Sequence, residues 1–392
     1  MQLVLLTLLA AAAAGRGVCA DSARVVFGYL PTWQLDQVAG ADLARYTHVS
    51  LAFAVPDSAG NLSMDNLDGA LASFTPQAGQ RVLMSLGGWS GSKHLSAILG
   101  DARKRRTLAE QMVAWTRAHG LDGWDIDFEY PGRAGAACHR FDAENDTANL
   151  LALVTDLRTR LAAEFPDAPK LITLATRHTP FDGPGGVPLA DVSAFAGPVD
   201  LFNLMLYDFT GGWAQAAGAN AALDNAAPSF RSAVQAWVDA GIPAGQIAAG
   251  LPFYGRAVTV KETRDLSDPV GLPIERTVPQ GSSEDAEEPD ASCGGPAVFS
   301  GVWAYRSLRS EGVLPSADEP AAAAEPWVRG VDNGTATPWL LNRETRAFVS
   351  YDDPASIAAK ARLADDMRLA GVMVWPLTGD YNGELAEAIF QE

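Results

Sequence analysis

The residues best placed to do chemistry in this chain are Asp125, Asp127 and Glu129, within Asp122-Gly123-Trp124-Asp125-Ile126-Asp127-Phe128-Glu129-Tyr130-Pro131. On a β-strand, a spacing of two sends all three carboxylates to one face. Trp124, Ile126 and Phe128 alternate with them and suit apolar surroundings on the other face. The acids then lie within about 7 Å of their neighbours along the strand, too close for all to ionise cheaply. One is expected to keep its proton near neutral pH, the state a general acid needs. The plainer alternative is a solvent-facing acidic strand. Acids are poor strand formers, and alternation with large apolar residues is a costly way to decorate a surface. Asp122 has the wrong parity for the acidic face, so a supporting hydrogen-bond role is expected for it.

Such a strand needs a scaffold, and the rest of the chain supplies a repeating one. Apolar runs at 25–30, 46–54, 82–86, 170–176, 199–207, 247–253 and 371–375 read as strands, most of them too continuously apolar to face water. Between them lie helical patterns. Leu108, Met112 and Trp115 mark one over 102–119, and Leu150, Leu153, Val154, Leu157 and Leu161 form one face over 144–165. Further helices are expected over 229–240 and 354–369, the latter opened by Asp353-Pro354. With the acidic segment as strand four, eight strands alternating with helices predict an α/β fold of the (β/α)8 barrel type. Residues 258–347 break the alternation and are expected to form an insertion between strands seven and eight. The acidic run 284–290 inside it reads as a solvated loop. The expected division is a leader over 1–20, barrel over 21–257, insertion over 258–347, and barrel again over 348–392.

Barrel sites form at the carboxyl ends of strands. Those ends hold Trp33, Gly87-Gly88-Trp89, Glu129-Tyr130, Tyr207-Asp208, Phe253-Tyr254 and Trp375. Aromatic faces with a few acids suit sugar rings, so a carbohydrate cleft is expected. His48, His94, His119, His139 and His178 show no paired metal-ligand spacing, and no G-x-S-x-G elbow occurs. No metal and no cofactor are expected. The net charge of -18 argues against nucleic acid and anionic membrane surfaces as partners. The apolar run 3–14 is too short to span a bilayer and precedes Val18-Cys19-Ala20, which suits a signal cleavage site despite the missing basic flank. Secretion is therefore expected. Cleavage leaves Cys138 and Cys293, which permit one disulfide. Asn61, Asn145 and Asn333 stand in glycosylation triplets.

These motifs resemble the chitinase family, family 18 of the glycoside hydrolases. The acidic stretch matches its DxxDxDxE pattern. Ser85-Leu86-Gly87-Gly88 is similar to its SxGG strand, and Met205-Leu206-Tyr207-Asp208 with Phe209-Thr210-Gly211-Gly212-Trp213 to its sixth. Gly250-Leu251-Pro252-Phe253-Tyr254-Gly255-Arg256 looks like its seventh strand. Tyr351-Asp352-Asp353, Ser356, Lys360 and the strand ending in Trp375 look like its last helix and strand. The resemblance implies a retaining, substrate-assisted mechanism, in which the substrate's N-acetyl oxygen is the nucleophile. It implies that Glu129 is the acid and then the base, that Asp127 holds the acetamido N–H, and that Asp125 shares charge with Asp127. Tyr207 and Asp208 would orient the acetamido group, and Trp375 would floor the adjacent sugar. Tyr29, Trp33, Gly88, Trp89, Tyr130, Met205, Trp213, Tyr254 and Arg256 would complete the binding surface. The insertion would be an α+β module walling the cleft, with Trp303, Tyr305, Trp327 and Trp339 either lining it or packing the module's own core. The expected protein is a secreted, monomeric, endo-acting chitinase that binds chitin and chito-oligosaccharides. A chitin-binding lectin and an endo-β-N-acetylglucosaminidase acting on N-glycans are the alternatives.

Overall fold

The computed structural model describes residues 24–38, 43–73, 76–261, 268–290, 293–316 and 322–391; the expected leader lies outside them. Eight strands follow in chain order: β1 (Val25–Pro31), β2 (His48–Pro56), β3 (Arg81–Gly87), β4 (Gly123–Asp127), β5 (Leu171–Thr176), β6 (Leu201–Leu204), β7 (Ile247–Pro252) and β8 (Gly371–Trp375). Each is parallel to its neighbours, and β1 pairs with both β2 and β8, closing the ring. The (β/α)8 barrel is thus formed as the alternation predicted. β4 is shorter than the acidic stretch suggested: it ends at Asp127, and Glu129 stands in the segment that follows.

The helices that wrap this ring start and stop where their sequence dictates. In α1 (Ala102–His119), the Asp101 carboxylate accepts the backbone N–H groups of Arg103 and Lys104, and Gly120 ends the helix in the left-handed conformation. α2 (Asp146–Glu164) packs beside it. α3 (Phe230–Asp239) opens with a Ser229–Ser232 capping box, and α4 (Pro354–Asp366) with an Asp353–Ser356 box and proline in its first turn. Trp124, Ile126 and Phe128 face outward from β4 into the large core formed with these helices. Trp124 also donates its indole N–H to the Met112 carbonyl at 3.0 Å and to Thr116 Oγ1 at 2.9 Å. Its loss would remove on the order of 3–5 kcal/mol, the usual cost of emptying a buried tryptophan site. That anchorage fixes which way the strand turns its acids.

Between β7 and β8 stands the insertion, a five-stranded antiparallel sheet ordered Val302–Ala304, Tyr254–Thr259, Ala347–Ser350, Thr337–Asn342, Trp327–Asp332, with helix Tyr305–Ser310. The sheet takes up the chain at Tyr254 and releases it at Ser350, so both ends reach a few residues past the alternation break at 258–347. Its aromatics fill it: Trp303, Tyr305 and Trp339 are buried, and Trp327 meets Trp303 edge-on at 5.8 Å. None of the four lines the cleft. The acidic run is mostly exposed, as expected of a solvated loop, and it is also tied down. Asp285 accepts hydrogen bonds from the backbone of Gly281, Ser300 and Gly301, Glu284 pairs with Arg306, and Glu288–Asp290 forms a hairpin with Gly294–Val298.

Candidate active site

The register of the barrel separates the two buried aspartates. Asp125 lies beside Ser85 of β3 and Thr173 of β5. Both hydroxyls donate to its carboxylate at 2.6 Å, joined by the Tyr29 hydroxyl at 2.9 Å and the Asn203 amide at 3.3 Å. Asp127, two residues on, lies between Gly87 and Ala175, which have no side-chain donors. Its Oδ1 is buried and has no hydrogen-bond partner. Gly87 is required by this packing: it sits at φ 105°, and a Cβ there would stand 2.3 Å from the Asp127 carbonyl. Glu129 follows, half-buried, with its backbone N–H donating to Ser92 Oγ at 3.0 Å.

All three acids are held above the ordinary carboxylate range. Burial raises Asp125, while its hydrogen bonds pull the other way. Asp127 is raised well above that range by burial and then by Glu129 and Asp125. Glu129 is pushed up to about 7, chiefly by burial, with the Tyr130 hydroxyl opposing and Asp208 adding. A carboxyl that keeps its proton near neutrality therefore faces the cleft beside an aspartate with an unused buried acceptor.

β6 leads into the opposite wall. The Tyr207 ring is buried, 5.9 Å from that of Tyr254 in an edge-to-face pair. Asp208 adopts φ 57° and takes a two-pronged contact from Arg256, at 2.8 Å to each carboxylate oxygen, plus the Tyr254 hydroxyl at 2.7 Å. The Arg256 guanidinium lies over the Trp213 ring at 5.3 Å. Tyr29, Phe53 and Trp375 make an aromatic floor, with Trp375 5.8 Å from Tyr29 and 5.7 Å from Phe53.

These side chains surround one cleft of about 1390 Å³ at the carboxyl ends of the strands. Tyr29, Trp33, Trp89, Asp127, Glu129, Tyr130, Met205, Tyr207, Asp208, Trp213, Arg256 and Trp375 all line it. Trp33, Trp89 and Trp213 are 60%, 47% and 59% exposed, so they rim the cleft and do not pack the core. Asp125 and Tyr254 sit behind the lining as supports. Gly88 is a spacer: at φ 77°, a Cβ there would meet the Phe53 ring at 2.7 Å. Asp122 pairs with Arg81 and accepts the Val82 N–H, the supporting role its parity predicted. Phe53, Arg133, Arg177 and His178 line the cleft without having been read from the sequence. The last two directly follow the fifth strand, which was the available signal.

Cys138 and Cys293 are joined by a disulfide with their Cα atoms 5.2 Å apart, tying the loop after β4 to the insertion. With His139 they form the group of potential metal donors found among the described residues, but the two sulfurs are bonded to each other. Asn61, Asn145 and Asn333 are exposed. No helix among the described residues is long and apolar enough to cross a membrane.

The chain belongs to glycosyl hydrolases family 18, which it matches over residues 25–380. It is 33% identical over 384 residues to a chitinase-like effector of Moniliophthora perniciosa, covering 92% of this chain and 85% of the relative. A chitinase structure from Rhizomucor miehei superposes with a TM-score of 0.83 at 30% identity, covering 93% of this chain and 99% of that one. A family 18 chitinase from Cycas revoluta, solved in complex with (GlcNAc)3, shares the fold with a TM-score of 0.74 at 21% identity, covering 93% and 98%.

Proposed function

We propose that this protein is a secreted, monomeric, endo-acting chitinase that cleaves β-1,4-linked N-acetylglucosamine polymers with retention of configuration. The observation that carries the reading is the pairing of a proton-bearing Glu129 with Asp127, whose Oδ1 is buried and unpartnered. An acceptor left so is costly unless a ligand donor completes it. The N–H of a substrate acetamide is such a donor. Glu129 then passes its proton to the glycosidic oxygen as the C1–O bond breaks, and the acetamide oxygen closes on C1. Asp127 holds the acetamide N–H and stabilises the positive charge of that oxazolinium ring. Water next attacks C1 and reopens the ring, while the Glu129 carboxylate takes the water's proton. Two inversions give net retention. Tyr207, beside Asp127, orients the acetamide, and Trp375 supports the sugar ring. The chitinase structure from Rhizomucor miehei supports the substrate class. The apolar N-terminal run, the disulfide and three exposed sequons support export.

The test is a time course of products, with anomeric analysis, on the N-acetylglucosamine hexamer. Internal cleavage with β-anomer products from β-linked substrate is expected. Binding without any cleavage by the wild-type chain would overturn the enzymatic reading in favour of a chitin lectin.

A further inference from the structure

In a chain of net charge -18, one end of the cleft is cationic. Arg133, in the loop after β4, and Arg177, directly after β5, each place a guanidinium nitrogen 3.4 Å from the same oxygen, Asp182 Oδ2. The Asp182 side chain is 1% exposed, and its Oδ1 has no hydrogen-bond partner. Two guanidiniums thus share one carboxylate, and one positive charge is left over in a wall that excludes most water. Arg133 keeps 40% of its side chain accessible and Arg177 keeps 16%, and both line the cleft. His178 adds no charge, since burial, Arg177 and Arg133 push its pKa down to about 4.

No nearby acid cancels this excess. Asp208 is taken by Arg256. Neither Asp127 nor Glu129 forms an ion pair with Arg133 or Arg177, whose shared carboxylate is that of Asp182. Across the mouth the situation reverses. Trp33 follows β1 and Asp57 follows β2; β1 is diametrically opposite β5 in the closed ring, and exposed Asp57 and Asp65 line that end of the cleft. Lys93, after β3, also lines the cleft and opposes part of this negative charge, so a bound sugar chain lies in a field more positive at the β5 end than at the β1–β2 end.

We propose that Arg133 and Arg177 act as a charge filter at the β5 end of the cleft, admitting neutral N-acetylated units and turning away protonated glucosamine units. The inference rests on the chitinolytic reading and adds a selectivity to it. An ammonium a few ångströms from the excess guanidinium is repelled enough to slow cleavage roughly fivefold to tenfold. Because Arg133 reaches solvent, salt weakens the effect.

The experiment uses N-acetylglucosamine hexamers carrying one glucosamine at each position in turn, with kcat/KM read for each bond by mass spectrometry of the products. A glucosamine whose own C1–O bond is the scissile one lacks the acetamide nucleophile and is left out of the comparison. Over the remaining positions the expected result is a penalty on one side of the scissile bond only, shrinking as salt rises. Arg133→Gln and Arg177→Gln should flatten the asymmetry, and Arg177→Lys, which keeps the charge, should restore it. Arg133 is the safer substitution because it is the more exposed of the pair, so its result decides the matter if Arg177→Gln fails to fold. A symmetric wild-type profile, or an asymmetry unmoved by Arg133→Gln, would overturn the filter while leaving the chitinase reading intact. Failure to cleave even the fully acetylated hexamer would overturn both.

Discussion

Replacing Glu129 by glutamine should disable the protein and stabilise it at once, with a pH dependence that follows from the site. Its pKa is pushed from the ordinary 4.5 to about 7 in the folded chain, chiefly by burial. A carboxyl raised on folding contributes stability that is full below its unfolded value and is lost as pH climbs through its folded value. The interval from 4.5 to about 7 corresponds to about 3 kcal/mol, and the part of Glu129 open to cleft water lowers this toward 2. Glutamine is neutral at every pH and incurs none of that loss. Wild type and Glu129→Gln should therefore have similar melting temperatures near pH 4, and the variant should gain through neutrality. For a chain of this size the gap should reach roughly 3–4 °C at pH 8. The same ionisation removes the general acid, so kcat/KM of the wild type should fall tenfold per pH unit above about 7. Activity of the variant should drop at least about a hundredfold throughout. Differential scanning fluorimetry across pH, run beside hexamer hydrolysis, reads both quantities. A melting gap that does not change between pH 4 and 8 would refute the claim that Glu129 carries its proton because it is buried.

Three further outcomes follow from the geometry. Gly87→Ala adds a Cβ 2.3 Å from the Asp127 carbonyl at φ 105°. It should cost at least about 2 kcal/mol in denaturant titration and lower kcat more than tenfold by shifting Asp127. Asp352→Asn strands the buried Lys360 ammonium, now 2.6 Å from Asp352 Oδ2, and should cost about 3–5 kcal/mol in chemical unfolding. Trp375→Ala removes the ring that meets Tyr29 and Phe53 under the cleft. Hexamer kcat/KM should fall roughly tenfold with the melting temperature nearly kept.

The acidic strand was legible because its two faces differ in chemistry. Trp124, Ile126 and Phe128 called for an apolar layer, which the helices around the barrel supply, so the opposite parity of Asp125 and Asp127 followed. The difference between the two aspartates was not legible in that strand. It depends on Ser85 and Thr173 falling opposite one, and Gly87 and Ala175 opposite the other, which is a matter of register between distant segments. Trp33 and Trp89 were found from their places after apolar strands, and Trp213 from the family resemblance. Trp303 and Trp339 look the same by type, yet Trp303 packs into the large core that the insertion shares with the barrel, and Trp339 into a smaller core of the insertion sheet itself. Arg177 and Arg133 went unread because their pairing with Asp182 brings together three loop positions that no periodicity links. The acidic run 284–290 suggested solvation by composition alone, and only the tertiary partners of Asp285 show that it is fastened.

The closing contact of the barrel sets an order on making the protein. β1 finds its second partner only in β8, where Val25 lies opposite Gly371, and the whole insertion is synthesised between the acids of β4 and that strand. Until residues 371–375 leave the ribosome, β1 and β7 each present an unpaired edge, the feature that draws other chains into sheet pairing. Every acid of the site is already made by then, yet none is held in a closed ring. A chain cut short anywhere between residues 130 and 370 keeps Asp125, Asp127 and Glu129 and loses both the seal of the barrel and the Trp375 floor.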